Sequence, residues 1–324
     1  MNHAIRLHET GGPEKLVWEE VPLPSPKPGE ALVRHAAIGL NFIDIYFRTG
    51  LYKAPAMPAV IGMEGAGTVE AVGEGVTDLK PGDRVGYAMG PIGAYAEART
   101  IRADLLVKLP SDIPFDTAAA MLLQGLTAQY LLRRTYAVKP GETILVHAAA
   151  GGVGLILVQW AKALGATVIG TVSTEAKAEL ARSHGADHVI LSSDDLPSRV
   201  SEITGGARLP VVYDSIGRDT FTASLDSLAP LGLLVSYGNA SGPVTGVDLG
   251  VLAAKGSLYV TRPTLATYVA KRADLLAMSE ELFDVVRSGK VKIGINQTFP
   301  LKDAADAHRA LEGRKTTGST VLIP

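Results

Sequence analysis

The densest chemical signal in this 324-residue chain is a run of small residues, Ala148-Ala-Ala-Gly-Gly-Val-Gly154. An apolar, β-leaning run from Thr143 to His147 leads into it, and an apolar stretch from Leu155 to Leu164 follows and stops at Gly165. Strand, glycine turn and helix in that order predict the phosphate-binding half of a βαβ unit. A helix N-terminus offers unpaired N–H groups and a favourable dipole to a pyrophosphate, and small residues let backbone and ligand touch. Against the dinucleotide fingerprint, Ala149, Gly151 and Gly154 take the three glycine positions, the alanine being a departure from the strict pattern. Gly151, Gly152, Val153 and Gly154 are the expected pyrophosphate contacts.

A second cluster follows the next strand, Ala166 to Val172. Folds that bind NAD carry an acid about 20 positions past the glycine turn, where it holds the ribose 2′-hydroxyl. Here the strand ends at Val172-Ser173-Thr174 with no Asp or Glu at its tip. Hydroxyls and a cation accept a 2′-phosphate that a carboxylate would repel. Ser173 and Thr174 supply the hydroxyls and Lys177 the cation, which favours NADPH over NADH. Glu175 works against that reading, although a carboxylate in a helix's first turn also stabilises the dipole. Lys177 taken alone equally fits a solvated helix lysine.

The elements that must position these groups are readable around them. Residues 1 to about 120 read as short strands cut by Gly and Pro, with turns at Gly11-Gly12-Pro13, Pro22 to Gly29, Gly73-Glu-Gly75 and Pro81-Gly82-Asp83. From Phe115 the pattern changes, and Asp116 to Leu132 predicts a helix. Further strands are expected at His188–Leu191, Val211–Asp214, Leu233–Tyr237 and Ser257–Thr261, with helices from Glu175 to His184 and from Leu196 to Ile203. With the two strands already placed, six strands alternate with helices, the signature of a doubly wound parallel sheet. Ligands bind at the carboxyl ends of such strands, which draws attention to Asp214-Ser215, Tyr237-Gly238-Asn239-Ala240 and Thr261-Arg262-Pro263. After Pro263 a long helix is marked by Leu275, Met278, Leu282, Val285 and Val286. A strand near Val291, a helix from Asp303 to Leu311 and a last strand, Thr320–Ile323, complete the chain.

Composition narrows the function classes. Hydrophobic residues make up 47% and charged residues 20%, as in an ordinary globular protein, and the formal net charge of −2 offers no phosphate-neutralising surface for nucleic acid. There are no cysteines, which removes disulfides, thiolate catalysis and cysteine-based metal sites. The N-terminal MNHAIRLHETGGPEK has no apolar targeting core and no apolar run approaches a membrane span, so a cytoplasmic location is expected.

Gly141-Glu142, Leu145, Ala149-Ala150-Gly151-Gly152, Gly154, Gln159 and Lys162 resemble the signature of the quinone oxidoreductase and ζ-crystallin family. That family lies in the zinc-free branch of the medium-chain dehydrogenase/reductase superfamily. Pro28-Gly29-Glu30-Ala-Leu-Val33, Gly39-Leu-Asn41 and Lys80-Pro-Gly-Asp-Arg-Val85 resemble the superfamily's GroES-like catalytic domain, so the likeness runs over essentially the whole chain. It implies an α/β architecture: a mostly-β GroES-like domain over 1–123, completed by 264–324, and a Rossmann NADPH-binding domain over 124–263. Ser173 and Lys177 become the 2′-phosphate clamp, while Ser215, Tyr237, Gly238, Thr261 and Arg262 line the cofactor cleft. Ser192 stands where the family often places a tyrosine, and Thr127 contacts the cofactor at the domain junction.

The superfamily's zinc enzymes need a Cys and a Gly-His-Glu motif; at the corresponding place this chain reads Gly62-Met63-Glu64. The expectation is therefore a metal-free site. Without a Lewis acid, acceptors that are already electrophilic suit the enzyme best, namely quinones or α,β-unsaturated carbonyls. Asn41-Phe-Ile-Asp44-Ile-Tyr46 resembles the family's active-site strip. In it Asn41 orients nicotinamide or substrate, Asp44 lies at the cofactor, and Tyr46 walls the pocket, with Tyr52 a second phenol. A tyrosine needs tuning from its ordinary pKa of about 10 to act as an acid, and solvent can also supply the proton. The resemblance implies an NADPH-dependent quinone reductase with its acceptor in the interdomain cleft. An alkenal or enone double-bond reductase and a non-catalytic NADPH-binding protein are the alternatives. An apolar sheet-edge strand at Leu258-Tyr-Val260 predicts a homodimer.

Overall fold

The computed structural model describes residues 1–324, which form two compact units. The first comprises Met1–Leu126, Tyr268–Phe283 and Ile293–Pro324; the second comprises Thr127–Thr267 and Asp284–Lys292.

Turn-forming Gly and Pro cut the first unit's N-terminal part into eight strands. These are β1 (Asn2–Leu7), β2 (Leu16–Val21), β3 (Glu30–Leu40), β4 (Ala59–Val60), β5 (Glu64–Val72), β6 (Arg84–Ala88), β7 (Ala98–Arg102) and β8 (Val107–Lys108). Helix α1 (Phe42–Thr49) follows β3 directly, and α2 (Phe115–Tyr130) closes this part. Strand β3 is the hub, pairing antiparallel with both β5 and β7. Its inward side chains Val33 and Ile38 join Ile5, Ile61, Val85, Tyr87, Tyr95 and Ile101 in one core. Each fully buried side chain of this size contributes on the order of 1.5–3 kcal/mol.

In the second unit the strands are β9 (Thr143–Val146), β10 (Thr167–Val172), β11 (His188–Leu191), β12 (Leu209–Asp214), β13 (Leu228–Ser236) and β14 (Tyr259–Thr261). They form one six-stranded sheet in the order β11-β10-β9-β12-β13-β14, and every pairing is parallel. Ile144, Leu145, Val146, Val168, Ile169, Val211 and Val212 are all fully enclosed, as expected of strands covered on both faces. The crossovers are α3 (Gly152–Ala163), α4 (Glu175–Ser183), α5 (Leu196–Thr204) and α6 (Phe221–Asp226), with short α7 (Gly250–Ala254) and α8 (Leu265–Tyr268) later. The strand order reverses between β9 and β12, which opens a crevice at their carboxyl ends.

The remaining chain holds α9 (Arg272–Arg287), β15 (Ile295–Pro300), α10 (Ala304–Glu312) and β16 (Ser319–Ile323). Strand β16 pairs antiparallel with β3, Val321 opposite Gly39 and Leu322 opposite Ile38, so the C-terminal strand lies beside the hub of the first unit.

Three expectations need correction. The region expected to hold only short strands also contains α1, which an eight-residue stretch rich in aromatic and β-branched residues does not announce. The expected strand near Val291 is instead β15, beginning at Ile295, while Val291 is buried outside any strand. Helix α3 starts at Gly152, three residues before its apolar stretch, so the glycines are its first turn.

Candidate functional site

In the second unit, Gly151 is the N-cap of α3 and donates its N–H to Ala148 O at 2.9 Å. A Cβ on Gly154 would collide with the carbonyl of Ala148 and the backbone of Ala149, so helix and strand can approach this closely only with glycine there. Ala149, the departure from the fingerprint, is fully buried and its methyl packs over Gly170 of β10. A glycine on the neighbouring strand makes room for that methyl, and the close approach is kept. The turn leads into the N-terminus of α3, the end of a helix whose unpaired N–H groups attract a pyrophosphate.

Beside it, β10 ends at exposed Ser173 and Thr174, with Lys177 half-buried one turn into α4. Thr174 caps that helix, its hydroxyl accepting from the Lys177 N–H at 3.3 Å, so one of the two hydroxyls already has a structural task. Glu175, the carboxylate that opposed a phosphate here, is paired with Arg182 at 2.7 Å. Ser192 is exposed beyond β11, and its N–H donates to Val172 O at 2.8 Å, which ties it to the end of β10. Ser173 and Ser192 thus follow adjoining strand ends, with Lys177 in the first turn of the helix between them.

On the far side of the reversal, Ser215, Tyr237 and Thr261 are half-buried, Arg262 is exposed and Gly238 is buried. A Cβ on Gly238 would strike the Ser215 backbone, so these two loops are in contact. The amide of Asn239, turned to donate to Gly238 O at 3.0 Å, accepts from Arg262 Nη2 at 3.3 Å and links the β13 and β14 ends. Asp214 is almost wholly buried and is spent on the fold. Its Oδ1 accepts from the N–H groups of Ile216 and Gly217, and its Oδ2 from the hydroxyls of Thr220 and Ser224. His147 is held between Thr171 and Ser224 and is kept neutral by burial. Asp214, Ser224 and His147 make a buried polar brace beneath the strand ends, which the sequence reading missed because its members are far apart in the chain. Thr127, where the second unit begins, is buried within α2.

In the first unit, Asn41 is the N-cap of α1. Asp44 at the helix's third position accepts from the Asn41 N–H at 2.9 Å, the returning half of a capping box. Tyr46 and Tyr52 come together across the helix end, ring centroids 5.2 Å apart and edge to face, with the Tyr52 N–H donating to Tyr46 O at 2.9 Å. Phe42 and Phe47 extend this aromatic group. Tyr46 is 8% exposed and Tyr52 is half-buried.

Asp44 does not lie open to a cofactor. It is fully enclosed, and its second partner is the Tyr95 hydroxyl at 3.0 Å, which also meets His308 Nε2 at 3.0 Å. Burial lifts Asp44 to about 7, against the pull of the Asn41 N–H and of Tyr95, and burial with Arg48 nearby lowers His308 to about 3. Asp44 therefore positions the start of α1.

The side chain of Asn41 turns away from the cap. Its Nδ2 donates to Glu64 Oε2 at 2.7 Å, and its Oδ1 accepts from Gln124 Nε2 at 3.2 Å. Glu64 Oε1 accepts the N–H of Leu123 at 2.7 Å, and Ser319 Oγ, from β16, lies 2.7 Å from Gln124 Oε1. Burial lifts Glu64 to about 8, opposed by the bonds from Leu123 and Asn41 and reinforced by Asp44. A Cβ on Gly39 would collide with Glu64 and with Ala119 O, so β3 must be bare at that point. Glu64 and Gln124 were absent from the candidate set. The signal for the first was its place after Met63 in the displaced metal motif; the second left none.

Met63 is buried where a ligand histidine would stand, and no group of three or more His, Cys, Asp or Glu side chains is assembled to hold a metal. A β module carrying Met63 in place of a ligand histidine, together with a parallel dinucleotide-type sheet, is the architecture of the zinc-free branch of the medium-chain dehydrogenase/reductase class. Residues 27–111 match the alcohol dehydrogenase GroES-like domain, and residues 152–278 match the zinc-binding dehydrogenase family model. The chain is 57% identical to the quinone oxidoreductase of Pseudomonas aeruginosa over 100% of both chains. It is 49% identical to the 2-haloacrylate reductase of a Burkholderia species, covering 99% of this chain and 98% of that one. The crystal structure of Escherichia coli quinone oxidoreductase complexed with NADPH matches with a TM-score of 0.98 at 53% identity, covering 99% of this chain and 100% of that one. The chain belongs to the quinone oxidoreductase family.

Proposed function

We propose that the chain is an NADPH-dependent quinone reductase working without a metal. The observation that carries this reading is the group at the carboxyl ends of β9 and β10. A glycine turn bare enough for pyrophosphate stands beside a strand end with hydroxyls and a lysine in place of an acid. Gly151, Gly152, Val153 and Gly154 would hold the pyrophosphate by backbone N–H groups, and Ser173 and Lys177, near Ser192, the 2′-phosphate. Ser215, Tyr237, Gly238, Thr261 and Arg262 would line the rest of the dinucleotide, with Thr127 and Asn41 toward the nicotinamide.

When bound, NADPH supplies a hydride; one proton completes a hydroquinone from a quinone. Asn41, hydrogen-bonded to Glu64 and Gln124, orients the reacting groups. Tyr46 and Tyr52 offer aromatic faces for a flat acceptor and a phenol near its oxygen. The catalytic module is assigned to 1–123 with 264–324, and the nucleotide module to 124–263.

Initial rates of NADPH oxidation with p-benzoquinone and with a 2-alkenal test the reading. Quinone-dependent oxidation is the expected result. Turnover with the alkenal alone would give the enone reductase reading instead, which the 49% identity to 2-haloacrylate reductase favours as the second choice. NADPH binding without turnover of either acceptor would leave a binding protein. A cytoplasmic homodimer is part of the proposal. Strand β14 is a sheet edge, with Tyr259 60% and Val260 39% exposed, an edge that pairing with a second copy would cover.

A further inference from the structure

The geometry points to a reversible hydrogen-bond relay, Glu64–Asn41–Gln124–Ser319, in which the protonation state of Glu64 sets which way the Asn41 amide faces. Glu64, Gln124 and Ser319 would thereby be positioning residues for Asn41.

The donors and acceptors of these four side chains allow two arrangements. With Glu64 ionised, its carboxylate can only accept, so Asn41 Nδ2 must point at it. Gln124 Nε2 then donates to Asn41 Oδ1, and the Ser319 hydroxyl donates to Gln124 Oε1. With Glu64 protonated, the carboxyl becomes a donor and every bond can reverse. Glu64 donates to a turned Asn41 Oδ1, Asn41 Nδ2 donates to Gln124 Oε1, and Gln124 Nε2 donates to Ser319 Oγ.

Reversal requires a second acceptor for the one hydroxyl hydrogen of Ser319, and the structure provides it. Ser319 Oγ is 2.9 Å from Ala120 O as well as 2.7 Å from Gln124 Oε1. The other Glu64 oxygen keeps the Leu123 N–H in both states. Neither arrangement strands a buried polar atom of the relay, and all four side chains are buried. Two fully bonded arrangements of one set of heavy atoms, differing by one proton, are what a two-state element requires.

The surroundings leave the proton to Glu64. Asp44 of α1 is the charged group acting on it directly, and it disfavours a second negative charge. Tyr87 of β6, bonded to His35 of β3 and lying under Arg99 of β7, also senses the Glu64 charge. From α2 come the backbone N–H groups of Leu122 and Leu123, and from β16 the Ser319 hydroxyl. Burial places the Glu64 transition near pH 8, within reach of solution measurements.

Reversal exchanges the spare N–H of Asn41 for a spare carbonyl lone pair. If Asn41 meets the nicotinamide, as the proposed function has it, NADPH affinity follows the same transition. That consequence rests on the functional reading; the relay does not.

The test is a pH titration of side-chain amide signals in protein labelled with 15N at Asn and Gln, assigned by their loss in Asn41→Ala and Gln124→Ala. Both amides are expected to shift together with one midpoint, and both to become flat in Glu64→Gln, whose own amide locks the protonated arrangement. Flat signals in the wild-type protein, separate midpoints, or a transition persisting in Glu64→Gln would overturn the relay. The wild-type titration alone decides should Glu64→Gln fail to fold. Parallel NADPH titrations should show affinity changing about threefold to tenfold across that midpoint, the usual weight of one hydrogen bond. Coupled amides with no NADPH binding would sink the functional reading and support the relay; NADPH binding with flat amides would do the reverse.

Discussion

A carboxyl group enclosed by a helix, a strand and an amide, with no cation against it, is an unusual thing for a fold to retain. Glu64 is such a group, and its raised pKa has a definite sign for stability. The folded protein holds the Glu64 proton from the ordinary value of 4.5 up to about 8, whereas the unfolded chain releases it. Stability is therefore fully present at low pH and falls as pH rises through that window, by at most about 1.4 kcal/mol per pH unit from this residue. Denaturant midpoints at pH 5 and pH 8.5 should show a marked loss for wild type and a smaller one for Glu64→Gln, which should be the more stable of the two at pH 8.5. Parallel losses would assign the effect elsewhere, with Asp44, lifted to about 7 by burial, the next residue to substitute. Single residues can be proposed from sequence where their chemistry is local, as Ser173 and Lys177 are from the missing acid at one strand tip. The relay cannot be, because its bonds join residues 23, 83 and 195 positions apart.

At the scale of elements, β9, the glycine turn and α3 were readable because the chain punctuates them with small residues at both ends. Gly154→Ala tests that unit. The added Cβ meets the Ala148 carbonyl and must push the turn aside, so NADPH affinity should fall at least about tenfold, more than one hydrogen bond's worth. Unchanged affinity by calorimetry would show that the turn does not hold the pyrophosphate. Thr174→Ala removes the cap of α4 and should cost about 1 kcal/mol in thermal or denaturant unfolding. Helix α1 was the element missed. Its sequence, Phe-Ile-Asp-Ile-Tyr-Phe-Arg-Thr, is one that strands also favour, and only the spacing of Asn41 and Asp44 announces a helix start. The consequence was specific. The resemblance placed Asp44 at the cofactor; wound into a helix, the segment turns Asp44 into the interior and gathers Tyr46 with Tyr52.

At the scale of the molecule, the alternation of strands and helices made the six parallel strands legible, because the inner ones are covered on both faces and continuously apolar, while the start of β13 at Leu228 and the short helices α6 and α7 were not. The pairing of β16 with β3, which brings Ser319 to Gln124, has no local signature and came only with the structure. The exposed β14 edge leads to a prediction at this scale. Light scattering should give twice 33.9 kDa for the wild type, and Val260→Lys on that edge should shift the mass toward a single copy. A monomeric wild type would remove the dimer from the account. The central claim, an NADPH-dependent reductase, is tested most directly by calorimetric titration of the wild type and Lys177→Ala with NADPH and with NADH. The wild type should bind NADPH at least about tenfold tighter, a charge-assisted bond's worth, and the substitution should erase the margin. Equal affinity of the wild type for the two dinucleotides would contradict it.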